Sequence, residues 1–185
     1  VTKQFNMSII IALIDNYCDI FLYGEDQINF ITNTFSLACE NNNMYLVKKI
    51  HKKYSHCICG QDFQDDVLRN VCKKGYFDVF KFLMENFPLS LNHDSYLRKQ
   101  FEFACVNGHL NIVKYLINNY EFSYYSWDIE FAKIYENGHI HVIDFFVNSY
   151  PKMISIEYEQ QNIEVIKYLV SRCCISQDDI YSILN

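Results

Sequence analysis

Apolar residues recur at helical spacing along almost the whole chain. Phe101, Ala104 and Cys105 stand at i, i+3 and i+4, one face of a first helix. Gly108 follows as a left-handed stop, and Leu110, Ile112, Val113, Leu116 and Ile117 then form a broader stripe on a second helix. The same two-helix phrase stands thirty-three residues earlier, where Val71-Cys72-Lys73-Lys74-Gly75-Tyr76 precedes Phe77 to Met84. Another thirty-three back, Ala38-Cys39-Glu40-Asn41-Asn42-Asn43 precedes Met44 to Ile50. Downstream the step shortens to thirty at Glu136-Asn137-Gly138-His139, and to twenty-three at Glu159-Gln160-Gln161-Asn162.

The two ends fit the same template in part. Met7 to Tyr17 reads as the second helix of an earlier unit. Ser176-Gln177-Asp178-Asp179 reads as a helix start that opens a further one. A single pair cannot bury both stripes, whereas stacked pairs can. Small residues at Ala38, Ala104 and near Ala132 would let helices of adjacent units approach. The expected fold is therefore all-α, a solenoid of stacked antiparallel helix pairs. Residues 1–185 would form one array of about five recognisable pairs with incomplete end units.

Composition agrees with a folded helical chain. Half of the 185 residues are hydrophobic and 21% are charged, which excludes a disordered tail. Only 5 glycines and 2 prolines argue against many tight hairpins. The net charge of −6 argues against a nucleic-acid partner. The longest apolar run, Ile9 to Ile14, is too short to cross a bilayer, and the start at Val1 shows no secretory leader. Lys outnumbers Arg 13 to 3, and Ile, Asn, Tyr and Phe are abundant, residues encoded by AT-rich codons.

A helix-turn-helix unit stepping by thirty-three resembles the ankyrin repeat. Ala104-Cys105, Gly108-His109 and Ile112-Val113 with Leu116-Ile117 match that family's A-A, G-H and V-V-x-x-L-L positions, and the resemblance runs over roughly residues 5 to 184. The family's T-P-L-H helix start keeps only its apolar position, as Phe35, Leu68, Phe101, Phe131 and Ile154. The glycine-containing hairpin between repeats is missing, as in Glu121 to Asp128, so few or no β-hairpins are expected. Degenerate arrays rich in Asn, Lys and Tyr look like the ankyrin-type proteins of large DNA viruses and some protists.

Most chemistry-bearing residues have structural readings. Cys39, Cys72 and Cys105 share one inward slot and read as small buried hydrophobes. Cys18, Cys173 and Cys174 follow second helices and are expected to pack there. His51, His56, Cys57 and Cys59 are the one group with ligand-like chemistry, but Cys57-x-Cys59 is tighter than usual zinc spacing and no second ligand pair lies nearby. No metal or other cofactor is expected. His109 and His139 share one slot, where the resemblance implies backbone bonds to a neighbouring repeat. Asp128 with Glu130, Asp178 with Asp179, and Gln64-Asp65-Asp66 read as helix N-terminal groups. Lys48, Lys49, Lys52 and Lys53 read as a solvated helix end, with an acidic partner as the alternative. No phosphate loop, nucleophile elbow or metalloprotease motif occurs, so no enzymatic activity is expected.

The resemblance implies a surface. In ankyrin arrays the variable pair before the turn glycine faces the concave side, where partners bind. Here the pairs are Glu40 and Asn41, Lys73 and Lys74, Val106 and Asn107, Glu136 and Asn137, and Glu159 and Gln160. The expected function is non-enzymatic protein–protein interaction, concretely a viral adaptor in the host cytoplasm. The second reading is an assembly or virion protein that self-associates end to end through open apolar faces at Met7, Ile10, Leu13 and Ile180, Ile183, Leu184.

Overall fold

A computed structural model describes residues 7–16, 24–58, 61–87, 94–120, 131–150 and 163–172. They form ten α-helices: α1 (Met7–Asn16), α2 (Gly24–Glu40), α3 (Met44–Tyr54), α4 (Gln61–Lys74), α5 (Phe77–Asn86), α6 (Asp94–Val106), α7 (Leu110–Asn119), α8 (Phe131–Glu136), α9 (Ile140–Ser149) and α10 (Ile163–Ser171). A short 3-10 turn, Ser55–Cys57, extends α3. No strand occurs among the described residues, and the fold is an all-α solenoid of ankyrin-like helix pairs.

The turn inside each pair explains the repeat. Asn42, Gly75, Gly108 and Gly138 all have positive φ, between 55° and 77°. After α6, Gly108 N–H donates to the Cys105 carbonyl at 3.1 Å and His109 N–H to the Ala104 carbonyl at 2.8 Å. After α2, Asn42 N–H donates to Cys39 (3.1 Å) and Asn43 N–H to Ala38 (2.8 Å). After α8, Gly138 donates to Tyr135 (2.8 Å) and His139 to Ile134 (2.9 Å). This doubly bonded close satisfies carbonyls that the helix leaves open and reverses the chain. It also sets the register. Counting back from the left-handed residue, the slot of Ala38 and Ala104 is filled in the next repeat by Ile134, not by Ala132. Ile134 is fully buried, so the slot tolerates a branched side chain.

The chain forms two compact units, residues 1–71 with 78–89 and residues 72–77 with 90–185. In the first, α2 packs on α3. Its core takes Ile31, Phe35, Ala38 and Cys39 from α2 and Leu46, Val47 and Ile50 from α3. Val67 and Leu68 of α4 and Val79, Phe80 and Leu83 of α5 are buried as well. Phe35 meets Phe87 at 5.6 Å between ring centroids. Tyr54 is buried, and its hydroxyl donates to the Ile14 carbonyl at 3.3 Å, fastening α1 to α3.

In the second unit, α6 pairs with α7, α8 pairs with α9, and the first helices α6 and α8 also pack together. Phe101 and Phe131 occupy the same repeat slot. Both set a ring edge-on to Phe146, at 6.0 and 5.8 Å, so a single aromatic of α9 joins two successive repeats. Each such buried ring contributes on the order of 1.5–3 kcal/mol. Asp144 of α9 accepts from Tyr168 Oη at 2.6 Å and pairs with Arg172 at 2.8 Å, which ties α9 to α10. Burial and the bond to Asp144 push the Tyr168 phenol up to about 12. The apolar position kept at helix starts is buried at Phe35, Leu68, Phe101 and Phe131, and Ile154 lies outside the described residues.

Candidate interaction surface

The residues before each turn sit at helix C-termini, where carbonyls lack partners. Asn41 Nδ2 donates back to the Leu37 carbonyl at 2.7 Å, and Asn107 Nδ2 to the Phe103 carbonyl at 2.8 Å. Asn137 Nδ2 turns instead to the Val106 carbonyl of the preceding repeat, at 2.9 Å. The asparagines thus have a structural duty that spacing did not disclose. Glu40 accepts from Asn70 Nδ2 at 2.9 Å. Lys73 and Lys74 are exposed; their ammonium groups lie 4.5 Å from the Phe103 ring centroid and 5.9 Å from that of Tyr76. Val106 is half-buried and Glu136 exposed. Glu159 and Gln160 lie outside the described residues.

Histidines join neighbouring turns. His109 Nε2 bonds the Lys73 carbonyl at 2.8 Å, as expected for its slot. In the following repeat the reaching nitrogen belongs to His141, whose Nε2 bonds the Gly108 carbonyl at 2.9 Å. His139, the residue expected there, lays its ring against Gly108. A Cβ at Gly108 would meet His139 Nδ1 at 2.5 Å, and one at Gly75 would meet His109 Nδ1 at 2.3 Å. The two glycines are therefore required twice, for positive φ and for room beneath an imidazole. Burial first, then the nearby His141 and His109, hold the His139 pKa below its usual value. The sequence did hold a signal for His141: the doublet His139-Ile140-His141 offers a second imidazole one residue further on.

The remaining candidates resolve into packing. Cys39, Cys72 and Cys105 are free and buried in the shared slot, as expected. Cys72 Sγ donates to the Gln100 carbonyl at 3.0 Å, and burial pushes its thiol up to about 12. Burial raises the Cys39 and Cys105 thiols as well. Cys18, Cys173 and Cys174 lie outside the described residues. Cys57 is buried. His51 packs edge-on to Phe82 and Phe87, each at 5.2 Å, and burial lowers its pKa. His56 is exposed and Cys59 lies outside the described residues. Among the described residues no three His, Cys, Asp or Glu side chains converge on a possible metal position.

The lysine-rich end of α3 is not simply a solvated face. Lys49 pairs with Asp15 at 2.7 Å, a bond that raises the lysine pKa. Lys53 Nζ donates to the Ile14 carbonyl at 3.0 Å, in the last turn of α1, where a cation suits the dipole. Lys48 and Lys52 are exposed. Gln64, Asp65 and Asp66 fall inside α4 rather than ahead of it, and Asp66 pairs with Arg69 at 3.3 Å. Asp128, Glu130, Asp178 and Asp179 lie outside the described residues. No helix among the described residues is long and apolar enough to cross a membrane.

Comparison with known proteins agrees with this geometry. The family model for ankyrin repeats (three copies) matches residues 35–126. An ankyrin repeat protein of Acanthamoeba polyphaga mimivirus is 47% identical to the chain, over 46% of this chain and 16% of the relative. The chain thus corresponds to a small part of that relative's length. No solved structure matches. Ankyrin repeats are protein–protein interaction modules and typically non-enzymatic, and through residues 35–126 the chain belongs to the ankyrin-repeat family, with a viral relative among its similar proteins.

Proposed function

We propose that the chain is a viral adaptor that engages a host protein in the host cytoplasm. Its contact surface is the set of pre-turn residues Glu40, Asn41, Lys73, Lys74, Val106, Asn107, Glu136, Asn137, Glu159 and Gln160. One observation carries the reading. The described turns share one backbone form, a positive-φ residue whose N–H donates three residues back, while the pre-turn side chains change from Glu-Asn to Lys-Lys to Val-Asn. A framework that repeats under side chains that do not is what a recognition surface on a solenoid needs. The test is a pull-down from host-cell lysate with the chain and with Lys73→Glu/Lys74→Glu. We expect a host protein held by the first and lost by the second, with equal melting temperatures. Retention of the same proteins by both chains would exclude the surface.

A second reading, self-assembly through an end face, has one observation in its favour. Ile9 and Leu13 stand at i and i+4 on α1 with 57% and 36% of their surface exposed. Oligomers that grow with concentration in light scattering, and that vanish in Ile9→Lys, would support it. A monomer at every concentration would exclude it.

A further inference from the structure

The row of turns in the second unit changes charge along its length. We propose that it selects an extended peptide segment with acidic residues at one end and basic residues at the other. This rests on the reading of the pre-turn residues as a contact surface, and adds the chemistry of the partner.

The turns are stitched side by side. The Lys73 carbonyl takes His109 Nε2, the Val106 carbonyl takes Asn137 Nδ2, and the Gly108 carbonyl takes His141 Nε2, all at 2.8–2.9 Å. Residues 73–74, 106–107 and 136–137 are therefore three consecutive steps of one row. The first step presents two exposed lysines, and the Phe103 ring holds the Lys73 ammonium at 4.5 Å. The middle step, Val106 and Asn107, is uncharged and half-buried. The third presents exposed Glu136 beside exposed Asn137.

Size follows from packing. Neighbouring helices stand about 8–10 Å apart, so two steps span roughly 20 Å. An extended chain advances about 3.3 Å per residue, so the row matches a segment whose acidic and basic ends lie about six residues apart. The half-buried middle step favours uncharged residues between them. A nucleic acid fits worse: its phosphates would gain at Lys73 and Lys74 and be repelled at Glu136.

Synthetic peptides test this by fluorescence anisotropy. The main probe has two aspartates at one end, two lysines at the other and uncharged residues between. Controls are the uncharged, all-acidic and all-basic versions and a deoxythymidine oligomer. The two-signed peptide should bind at least about tenfold tighter than every control, and more weakly as salt rises. Lys73→Glu/Lys74→Glu makes both charged steps acidic and should shift preference to the all-basic peptide. Adding Glu136→Lys restores two signs in reverse order and should recover the two-signed peptide, which can bind turned round. Circular dichroism melts establish that the variants are folded. A two-signed peptide that binds no tighter than the controls, or a folded triple variant that fails to recover it, overturns the proposal. The contact surface itself is judged separately. If the host protein is lost from the row variant while the peptides are not distinguished, the surface stands and the charge selection falls.

Discussion

Two turns share a backbone and differ in what they do with it. The turn at Glu40–Met44 and the turn at Val106–Leu110 close with the same pair of hydrogen bonds, 3.1 and 2.8 Å in each. In the first, Asn42 takes the left-handed position, and Asn43 Oδ1 caps its own helix by accepting from Leu46 N–H at 3.0 Å. In the second, Gly108 takes that position under the His139 ring, and His109 spends its side chain on the Lys73 carbonyl of the preceding repeat. The turn geometry is local and several residue types can make it. Side-chain identity decides how the turn reaches beyond its own helix pair, through Glu40 to Asn70 of the following repeat in the first and through His109 to the preceding turn in the second.

The largest effect that probes this difference is expected at Gly108. Gly138 has the same φ of 77°, yet nothing within 4 Å of the place a Cβ would take. Gly138→Ala should cost only the left-handed penalty, about 1–2 kcal/mol in chemical denaturation. Gly108→Ala carries the same penalty and must also displace the His139 ring, so it should be the more destabilising. Equal losses would show that the ring contact carries no weight.

A smaller effect separates the two capping solutions. His109→Ala and Asn43→Ala should each cost roughly 1 kcal/mol. Amide hydrogen exchange tells them apart. Asn43→Ala should loosen only the first turn of α3. His109→Ala should also loosen the turn at Lys73-Lys74-Gly75, thirty-odd residues away in sequence. Loosening confined to α7 would mean that the histidine bond does not couple the repeats.

The smallest effect is a pH dependence. The folded-state pKa of His139 is lowered, so the folded chain binds this proton less readily than the unfolded chain. Its contribution to stability is present above the ordinary histidine value near 6.5 and is lost as pH falls from there toward the lowered value. His51 acts in the same direction. The fall in melting temperature from pH 7 to pH 5 should be shallower in His139→Asn. An unchanged slope would assign the dependence elsewhere.

The repeat unit was legible because its signals are short-range. Thirty-three-residue spacing, the buried slot of Cys39, Cys72 and Cys105, and the positive-φ turn residues are each local features that periodicity exposes. The candidate surface was legible only as positions. That Asn41 and Asn107 cap their own helices while Asn137 crosses to Val106 is invisible in three similar contexts. The lysines of α3 illustrate the same limit. Lys48, Lys49, Lys52 and Lys53 look alike in sequence, yet Lys49 and Lys53 hold the end of α1 because α1 lies within their reach.

By itself the sequence determined the helix pairs, their turns and their inward faces, because 3.6-residue periodicity and left-handed stop residues act over a few positions. Tertiary structure decided which histidine reaches the neighbouring turn and which lysines are engaged. Those outcomes depend on distances between residues thirty or more apart, which are set only when the helices pack.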